Sequence, residues 1–326
     1  MGSSKGLPRC KCDETLFGVT HLTKRATNIA ASVGQRLRNI ARERNEDFAL
    51  VLTKFALERL LFRLSQSKHR DAFVLKGALL FELWTQERYR STRDADLLAR
   101  GDNSPERLAN VFRDVCNIAV VDDGLRFGAQ TVKAGRITED ANYQGVRVTF
   151  MGYLENARIP IQIDIGFGDV VTPAPAEAEF PTLLDFPAPK LLAYPRESVI
   201  AEKFEAMVKL GIANSRMKDF YDLWKLSCDF LFDGPLLSEA VQKTFARRET
   251  ELLSDKVPVV FTEEFYRDEI KNKQWNAFCQ KNRRYISERR LEEVCLAIRA
   301  FLLPIAEALL RNESLQKLWI PPGPWK

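Results

Sequence analysis

The sequence predicts a mixed α/β protein in which a small mixed sheet is flanked by N-terminal helices and by a C-terminal helical bundle. Three observations lead to this prediction. Apolar residues recur at helical spacing near the start, short alternating segments occupy the middle, and helical spacing returns in the last third. The boundaries that follow are a tail over 1–26, helices over 27–70, a core over 71–187 and a helical domain over 188–326.

Composition sets the first limits on function. The chain has 326 residues, of which 45% are hydrophobic and 29% charged, as in globular proteins with a buried core. The net charge of +5 permits an anionic partner such as a nucleotide or RNA without requiring one. Six cysteines without a disulfide framework, no signal-peptide pattern and no apolar membrane segment indicate a cytoplasmic protein. A metal could bind at Cys10, Cys12 and His21, although structural zinc needs four ligands at characteristic spacings.

Two helices are predicted before the core. The first is basic, with arginines at positions 36, 38, 42 and 44. The second is amphipathic and extends to about Ser67, and Asp47 is placed as its N-cap before Phe48. A helical segment from Gly77 to Glu87 and an extended segment from Ser91 to Ala99 then open the core.

The rest of the core combines a helix with a hairpin. The helix begins at Ser104, an N-cap followed by proline at the first helical position. Alternating residues on either side of the turn "LENA" predict the hairpin, whose second strand carries Asp164. The proline-rich segment 173–190 is predicted to be irregular, and helices are expected from there to the end of the chain, starting near Arg196, Lys218, Pro235, Thr262 and Ser287.

Two aspartates stand one residue apart in the extended segment. Because strand side chains alternate, Asp94 and Asp96 face one way and Ala95 the other. Two adjacent carboxylates repel unless a cation lies between them, and Mg²⁺ prefers such oxygen ligands. Asp164, an acid in an isoleucine-rich strand, could be a third ligand. The alternative is a solvated strand face, which is common for acidic pairs.

A glycine turn precedes the acid pair. In Lys76-Gly77-Ala78, a glycine at the start of a helix lets backbone N–H groups approach a phosphate. The alternative for such a glycine is a plain turn. A phosphate cradle, a helix and a paired-aspartate strand together suit phosphoryl or nucleotidyl transfer, in which positioning and metal electrostatics dominate catalysis.

A second group of charges follows the core. Helical spacing places Lys203 on the face of its helix that should meet the core, and places Asp219 and Asp222 likewise on the next helix. One interpretation is a buried ion pair that joins the two helices. The other is contact of Lys203 with nucleotide phosphates or the attacking group, with an aspartate orienting the lysine. Both interpretations are compatible.

Three segments resemble the AbiEii/AbiGii toxin family of nucleotidyltransferases, which belongs to the DNA polymerase beta-like superfamily. They are "FVLKGALLFELW...RSTRDADLL", "IPIQIDIGFGD" and "SVIAEKFEAMVKLG...RMKDFYDLWKL", and the resemblance covers about residues 35 to 310. Gly77 matches the first family motif, whereas Ala78 stands where a small polar residue often lies. That difference removes only a side-chain contact to phosphate.

The resemblance implies roles for individual residues. Asp94 and Asp96 are similar to the metal-binding pair, and Asp164 to the third acid. Lys203 is similar to a motif lysine, and either Asp219 or Asp222 to a later motif aspartate. Further nucleotide contacts are implied at Lys76, Gly77, Ala78, Arg93 and Lys203.

The implied reaction is attack of an acceptor hydroxyl on the α-phosphate of an NTP, with Mg²⁺ or Mn²⁺ as cofactor. The resemblance implies a tRNA or protein acceptor, a cognate antitoxin and a role in phage defence. The basic segment "KNKQWNAFCQKNRRYISERR", with Trp275 and Tyr285, is either solvated helix surface or an RNA contact. The rival to an enzyme is a nucleotide-binding or antitoxin-binding protein on the same fold, without turnover.

Overall fold

The computed structural model describes residues 1–2, 28–85, 89, 92–137, 145–252, 257–286 and 289–326. Cys10, Cys12 and His21, the metal ligands considered from the sequence, lie outside these residues, as does nearly all of the predicted tail. The four described cysteines are free thiols, as expected: Cys116, Cys228, Cys279 and Cys295.

Two N-terminal helices form where the sequence predicts them, as α1 (Ile29–Glu43) and α2 (Phe48–Ser65). Asp47 caps α2, since its carboxylate accepts a hydrogen bond from the backbone N–H of Leu50 at 3.0 Å. The prediction of an amphipathic second helix is wrong, because α2 is buried on almost every side. It packs against α1, the hairpin and another core helix, so even its charged Glu58 and Arg59 are enclosed.

The described residues contain one mixed sheet of eight strands. The strands are β1 (Phe73–Lys76), β2 (Ala95–Ala99), β3 (Leu125–Phe127), β4 (Lys133–Arg136), β5 (Val146–Leu154), β6 (Ala157–Phe167), β7 (Ala176–Glu179) and β8 (Lys190–Ala193). Their order is β3-β5-β6-β2-β1-β8-β7, and β4 pairs with β5. Strand β2 runs parallel to β6 and antiparallel to β1, which places β1, β2 and β6 side by side near the centre.

The predicted hairpin is present as β5 and β6, joined at Glu155 and Asn156. The proline-rich segment is not wholly irregular, however, since Ala176–Glu179 forms the edge strand β7 against β8. Its prolines at 175 and 181 flank this strand instead of interrupting it, and an edge strand tolerates the missing donors nearby.

The segment between β1 and β2 is less helical than the sequence predicts. A 3₁₀ turn over Gly77–Leu79 leads into α3 (Leu80–Trp84), which ends because Thr85 is extended. The predicted helix end at Glu87 lies outside the described residues. Strand β2 begins at Ala95, later than predicted, so Asp94 lies in the bend just before the strand.

The remaining helices are α4 (Pro105–Cys116), α5 (Arg196–Leu210), α6 (Met217–Asp229), α7 (Gly234–Arg247), α8 (Glu263–Tyr266), α9 (Glu269–Asn282) and α10 (Leu291–Leu310). The predicted helix near Thr262 is in fact two, α8 and α9. The expectation of helix to the end is wrong, because β9 (Phe232–Asp233) pairs with β10 (Leu318–Trp319) after α10. None of the helices in the described ranges has the length and apolar character needed to cross a membrane.

Candidate active site

Four neighbouring strands place one charged residue each in a single row. Lys76 of β1 is paired with Asp96 of β2, Asp96 with Asp164 of β6, and Asp164 with Arg147 of β5. Directly paired residues project their side chains to the same face of a sheet. Two predicted metal ligands, Asp96 and Asp164, therefore lie side by side, with a basic residue on the strand at either end.

The third predicted ligand, Asp94, lies immediately before β2. Its carboxylate accepts a hydrogen bond from the Thr92 hydroxyl at 2.5 Å. Asp96 lies against the glycine turn, because a Cβ added to Gly77 would be 1.9 Å from Asp96 Oδ2. Gly77 also has φ +73°, a conformation that favours glycine. The sequence analysis assigned this glycine to a phosphate contact and did not predict its contact with Asp96.

Asp96, one of the three predicted metal ligands, has a shifted pKa. Burial and the neighbouring carboxylates of Asp94 and Asp164 raise its pKa to about 6, although Lys76 and Lys218 act in the opposite direction. Burial, the largest cause, and the two neighbouring carboxylates thus both disfavour the ionised form of Asp96. A bound cation would relieve this repulsion.

Asp164 is engaged by Arg147. The guanidinium donates from Nε to Oδ1 and from Nη2 to Oδ2, both at 2.8 Å. Within the described ranges, no group of three or more His, Cys, Asp or Glu side chains is arranged to hold a metal ion. Arg147 was missed by the sequence analysis, although the two-residue turn of the hairpin fixes its pairing with Asp164.

The side chains present fit a divalent cation in part. The side chains of Asp94 and Asp96 offer only oxygen donors, and their charges repel each other. Gly77 packs so closely against Asp96 that a larger residue at position 77 would collide with the carboxylate. Oxygen donors suit Mg²⁺ or Mn²⁺. Asp164 does not present its carboxylate in the same way, because both of its oxygens accept from Arg147.

Lys76, predicted to contact nucleotide phosphate, is buried in a charge network. Its ammonium lies 2.8 Å from Asp169 and 3.0 Å from Glu202 of α5, above the Tyr194 ring. Arg248 also contacts Asp169, at 3.0 Å. Burial alone would raise the pKa of Asp169, but Lys76 and Arg248 outweigh it and lower that pKa to about 2. The network joins β1 to α5 and to the end of α7.

Lys203 of α5 joins two acids of α6. Its ammonium lies 2.6 Å from Asp219 Oδ1 and 2.9 Å from Asp222 Oδ2, and both aspartates are fully buried. Burial raises the pKa of Asp219, but Lys203 and Arg216 lower it by more than burial raises it, so the net shift is downward. The helix-joining ion pair considered from the sequence is therefore present, with both aspartates instead of one.

Tyr89 links this ion pair to the acid strand. Its hydroxyl donates to Asp222 at 2.6 Å, and its ring stacks on Phe81 of α3 at 3.8 Å. Tyr89 lies in the connection that leads to Asp94, so its hydrogen bond to Asp222 attaches this connection to α6. No pattern in the sequence indicated this residue.

The two groups of charges meet at the same part of the sheet. Glu202, which contacts Lys76, directly precedes Lys203 on α5. Lys218 of α6 is close enough to Asp96 to lower its pKa, and its side chain is exposed. Arg93, a predicted triphosphate contact, is exposed beside Asp94, whereas Ala78 is buried in the glycine turn.

The basic segment interpreted as either solvated surface or an RNA contact covers α9 and the connection to α10. Trp275 is fully buried, and its indole N–H donates to the Arg289 carbonyl at 2.6 Å, so its ring is not available to stack on RNA bases. Tyr285 is half-buried. The exposed bases of the segment are Lys273, Lys281, Arg283, Arg284, Arg289 and Arg290.

A family profile described as nucleotidyl transferase AbiEii toxin, type IV TA system, matches residues 59–296. The match spans most of the chain and includes the glycine turn, the three acids and the Lys203 group. The class of the protein is thus nucleotidyltransferase. Within this class the chain belongs to the AbiEii toxin family of type IV toxin–antitoxin systems.

Two solved structures resemble the chain over most of its length. JHP933 from Helicobacter pylori has 14% sequence identity and a TM-score of 0.42, with 82% of this chain and 95% of that chain covered. A candidate nucleotidyltransferase from H. pylori has 14% identity and a TM-score of 0.41, with 78% and 94% covered. No curated protein matches the chain.

Proposed function

We propose that the protein is a toxin that transfers a nucleoside monophosphate from an NTP to an acceptor hydroxyl. The observation that carries this proposal is the placement of Asp96 against Gly77, with the carboxylate of Asp94 near enough to raise the pKa of Asp96. In the reaction, the acceptor oxygen bonds to the α-phosphorus while the bond from that phosphorus to the β-phosphate oxygen breaks. The hydroxyl proton passes to a base, and pyrophosphate leaves.

Each group at the site has a part in this proposal. Asp94 and Asp96 would hold Mg²⁺ or Mn²⁺, which supplies positive charge to the triphosphate oxygens. Gly77 and Ala78 leave the backbone open to a phosphate, while the exposed Arg93 reaches the triphosphate or the base. Lys203, oriented by Asp219 and Asp222, contacts phosphate or the attacking group.

The acceptor is a tRNA or a protein, and the proposal places the protein in the cytoplasm, in a phage-defence role with a cognate antitoxin. Exposed bases at the end of α9 favour RNA over a protein acceptor, because a polyanion binds best to clustered positive charge. One of them, Arg284, lies just after α9 and donates to the carbonyl of Asn45, just after the basic helix α1, at 3.4 Å.

A second function is favoured by one contact. Arg147 engages both carboxylate oxygens of Asp164. If this contact permanently prevents Asp164 from binding a metal, the protein would bind a nucleotide or an antitoxin without turnover. The two functions share the fold and the acid pair, and they differ in whether covalent product forms.

The test is incubation with each α-³²P-labelled NTP, Mg²⁺ and total tRNA, or a protein extract as acceptor. We expect label in one acceptor class, and loss of this label in Asp94→Asn and Asp96→Asn. Asp185→Asn is the matched control, because Asp185 is an exposed aspartate whose carboxylate pairs with Arg36 of α1. Nucleotide binding without label in any acceptor would support the second function.

A further inference from the structure

The contact between Arg147 and Asp164 has the strongest geometry that an arginine and a carboxylate can form. Two parallel hydrogen bonds of 2.8 Å join the guanidinium to both carboxylate oxygens. The register of the hairpin places the two residues directly opposite each other. The contact therefore follows from the fold and does not depend on a long, mobile side chain finding its partner.

Asp164 is at the same time the direct neighbour of Asp96 in the parallel pair of β6 and β2. A divalent cation shared by these two carboxylates would lie within a few ångströms of the guanidinium, about 2 Å from an oxygen that Arg147 already contacts. Like charges at this separation repel strongly in a partly buried site. A cation and Arg147 cannot both bind Asp164 without cost.

We propose that Arg147 competes with the divalent cation for Asp164 and so acts as a positioning residue that sets the metal affinity of the site. Asp94 and Asp96 are ligands whether or not Arg147 is in place. Asp164 becomes a ligand only when the guanidinium leaves it. This inference rests on the proposed function, because it requires a cation at the acid pair.

The base on the other end of the row is held differently. The Lys76 side chain is 11% exposed and is fixed by Asp169 and Glu202, so its ammonium cannot leave without breaking buried ion pairs. The Arg147 side chain is 36% exposed, and solvent can take up its charge when it moves. Of these two bases, Arg147 is the one that can exchange with a cation.

The experiment measures Mn²⁺ affinity of the full chain without nucleotide, using electron paramagnetic resonance to count free Mn²⁺. We expect Arg147→Gln to bind Mn²⁺ about tenfold more tightly than the wild type, as when one charged hydrogen-bonding competitor is removed. Arg136→Gln is the matched control. Arg136 is an exposed arginine on the neighbouring strand whose pairing partner is Val146, and its side chain contacts Asn103. Its loss should leave the affinity unchanged.

Two more variants show whether the tighter Mn²⁺ binding depends on Asp164. In Arg147→Gln/Asp164→Asn the gain should disappear. Arg147→Lys keeps the charge but not the two-point contact, so a smaller gain in the same direction is expected, and this variant carries the test if Arg147→Gln does not fold.

The possible failures are distinct. Mn²⁺ binding that requires Asp94 but is equal or weaker in both Arg147 variants would overturn this inference and leave the proposed site intact. Equal gains in Arg147→Gln and Arg136→Gln would also overturn it, because general charge would then explain the effect. Absence of Mn²⁺ binding in the wild type and in every variant would overturn both the inference and the proposed metal site.

Discussion

Gly77 and Asp96 are in such close contact that no other residue fits at position 77. A Cβ there would lie 1.9 Å from Asp96 Oδ2 and 2.6 Å from its Cγ, and the backbone of Gly77 has φ +73°. The glycine turn and the acid strand are thus one structural unit. A change in the turn must move the carboxylate.

Gly77→Ala should therefore damage both folding and transfer. We expect a loss of about 1–3 kcal/mol from the positive φ, and loss of nucleotide transfer because Asp96 is displaced. Gly135→Ala is the control, since an added Cβ meets nothing within 4 Å at that position of β4. Urea unfolding and labelled transfer measure the two effects. Normal transfer in Gly77→Ala would show that the position of Asp96 does not matter.

Asp96 should make the folded state less stable as pH rises. Its pKa is about 6 in the folded protein against 3.8 in the unfolded chain, so the folded state binds more protons between about pH 4 and 6. The contribution of Asp96 to the free energy of unfolding is most favourable below about pH 4, declines between about pH 4 and 6, and is constant at higher pH. Asp96→Asn removes the decline and should stabilise the protein at pH 7 by about 3 kcal/mol, while abolishing transfer.

The measurement is the difference in unfolding free energy between wild type and Asp96→Asn at pH 4, 5, 6 and 7. This difference isolates Asp96 from other titrating groups. Added Mn²⁺ with NTP should stabilise the wild type above pH 6 and should not stabilise the variant. A difference that does not change with pH would mean that Asp96 is not electrostatically strained.

Lys76→Met tests whether Lys76 supports the fold or binds phosphate. Its ammonium contacts Asp169 and Glu202 in the interior, so truncation should cost about 3–5 kcal/mol at pH 7. The KM for NTP should change little. The control is Lys190→Met, since Lys190 pairs with Glu179 on an exposed strand and its loss should cost less than about 1 kcal/mol. A raised KM with unchanged stability would assign Lys76 to the phosphates instead.

The exposed end of α9 should contribute to binding of an RNA acceptor. Arg283→Gln/Arg284→Gln should weaken RNA binding and reduce its salt dependence, with an unchanged KM for NTP. Arg290→Gln should have a smaller effect, because Arg290 is paired with Glu292 and Glu293. Fluorescence anisotropy with labelled tRNA at several salt concentrations measures both. Equal effects of the two variants would argue against a specific surface at Arg283 and Arg284.

Local sequence patterns predicted most individual helices and strands, because the start of a helix or the turn of a hairpin depends on residues close together in the chain. The cap at Asp47 and the alternation around the hairpin turn are examples. The amphipathic expectation for α2 failed because packing on several sides buries charged residues, which a pattern along one helix cannot show. Strand β7 was missed because its four residues lie among prolines.

The candidate site was predictable only in part for the same reason. Alternation predicted that Asp94 and Asp96 face one way, but Asp94 lies in the bend before β2, where strand alternation does not apply. The hairpin turn was sufficient to pair Arg147 with Asp164. The pairing of Asp96 with Asp164 joins strands far apart in the chain, so no local pattern contains it. Tyr89 contacts Phe81 of α3 and Asp222 of α6, which are far apart in the chain, so no local pattern contains these contacts either.

Lys203 neutralises two buried carboxylates, those of Asp219 and Asp222, at 2.6 and 2.9 Å. Lys203→Met keeps the length of the side chain and removes its charge, leaving both acids buried without it. We expect a loss of about 3–5 kcal/mol, with partial recovery when Asp219 or Asp222 is also changed to Asn. Lys243→Met is the control, because Lys243 pairs with Glu239 on the surface and should cost less than about 1 kcal/mol.

Stability alone does not separate a structural lysine from one that also takes part in transfer, so Lys203→Arg is the decisive variant. Arginine keeps the positive charge between the helices, and this variant should fold with nearly wild-type stability. Its planar fork cannot place one compact ammonium at the position of Nζ, so transfer should fall by about 10²-fold or more if that position contacts phosphate or the attacking group. Single-turnover transfer with saturating NTP measures this step directly. Wild-type transfer by a stable Lys203→Arg protein would show that the residue provides only the charge that joins α5 to α6.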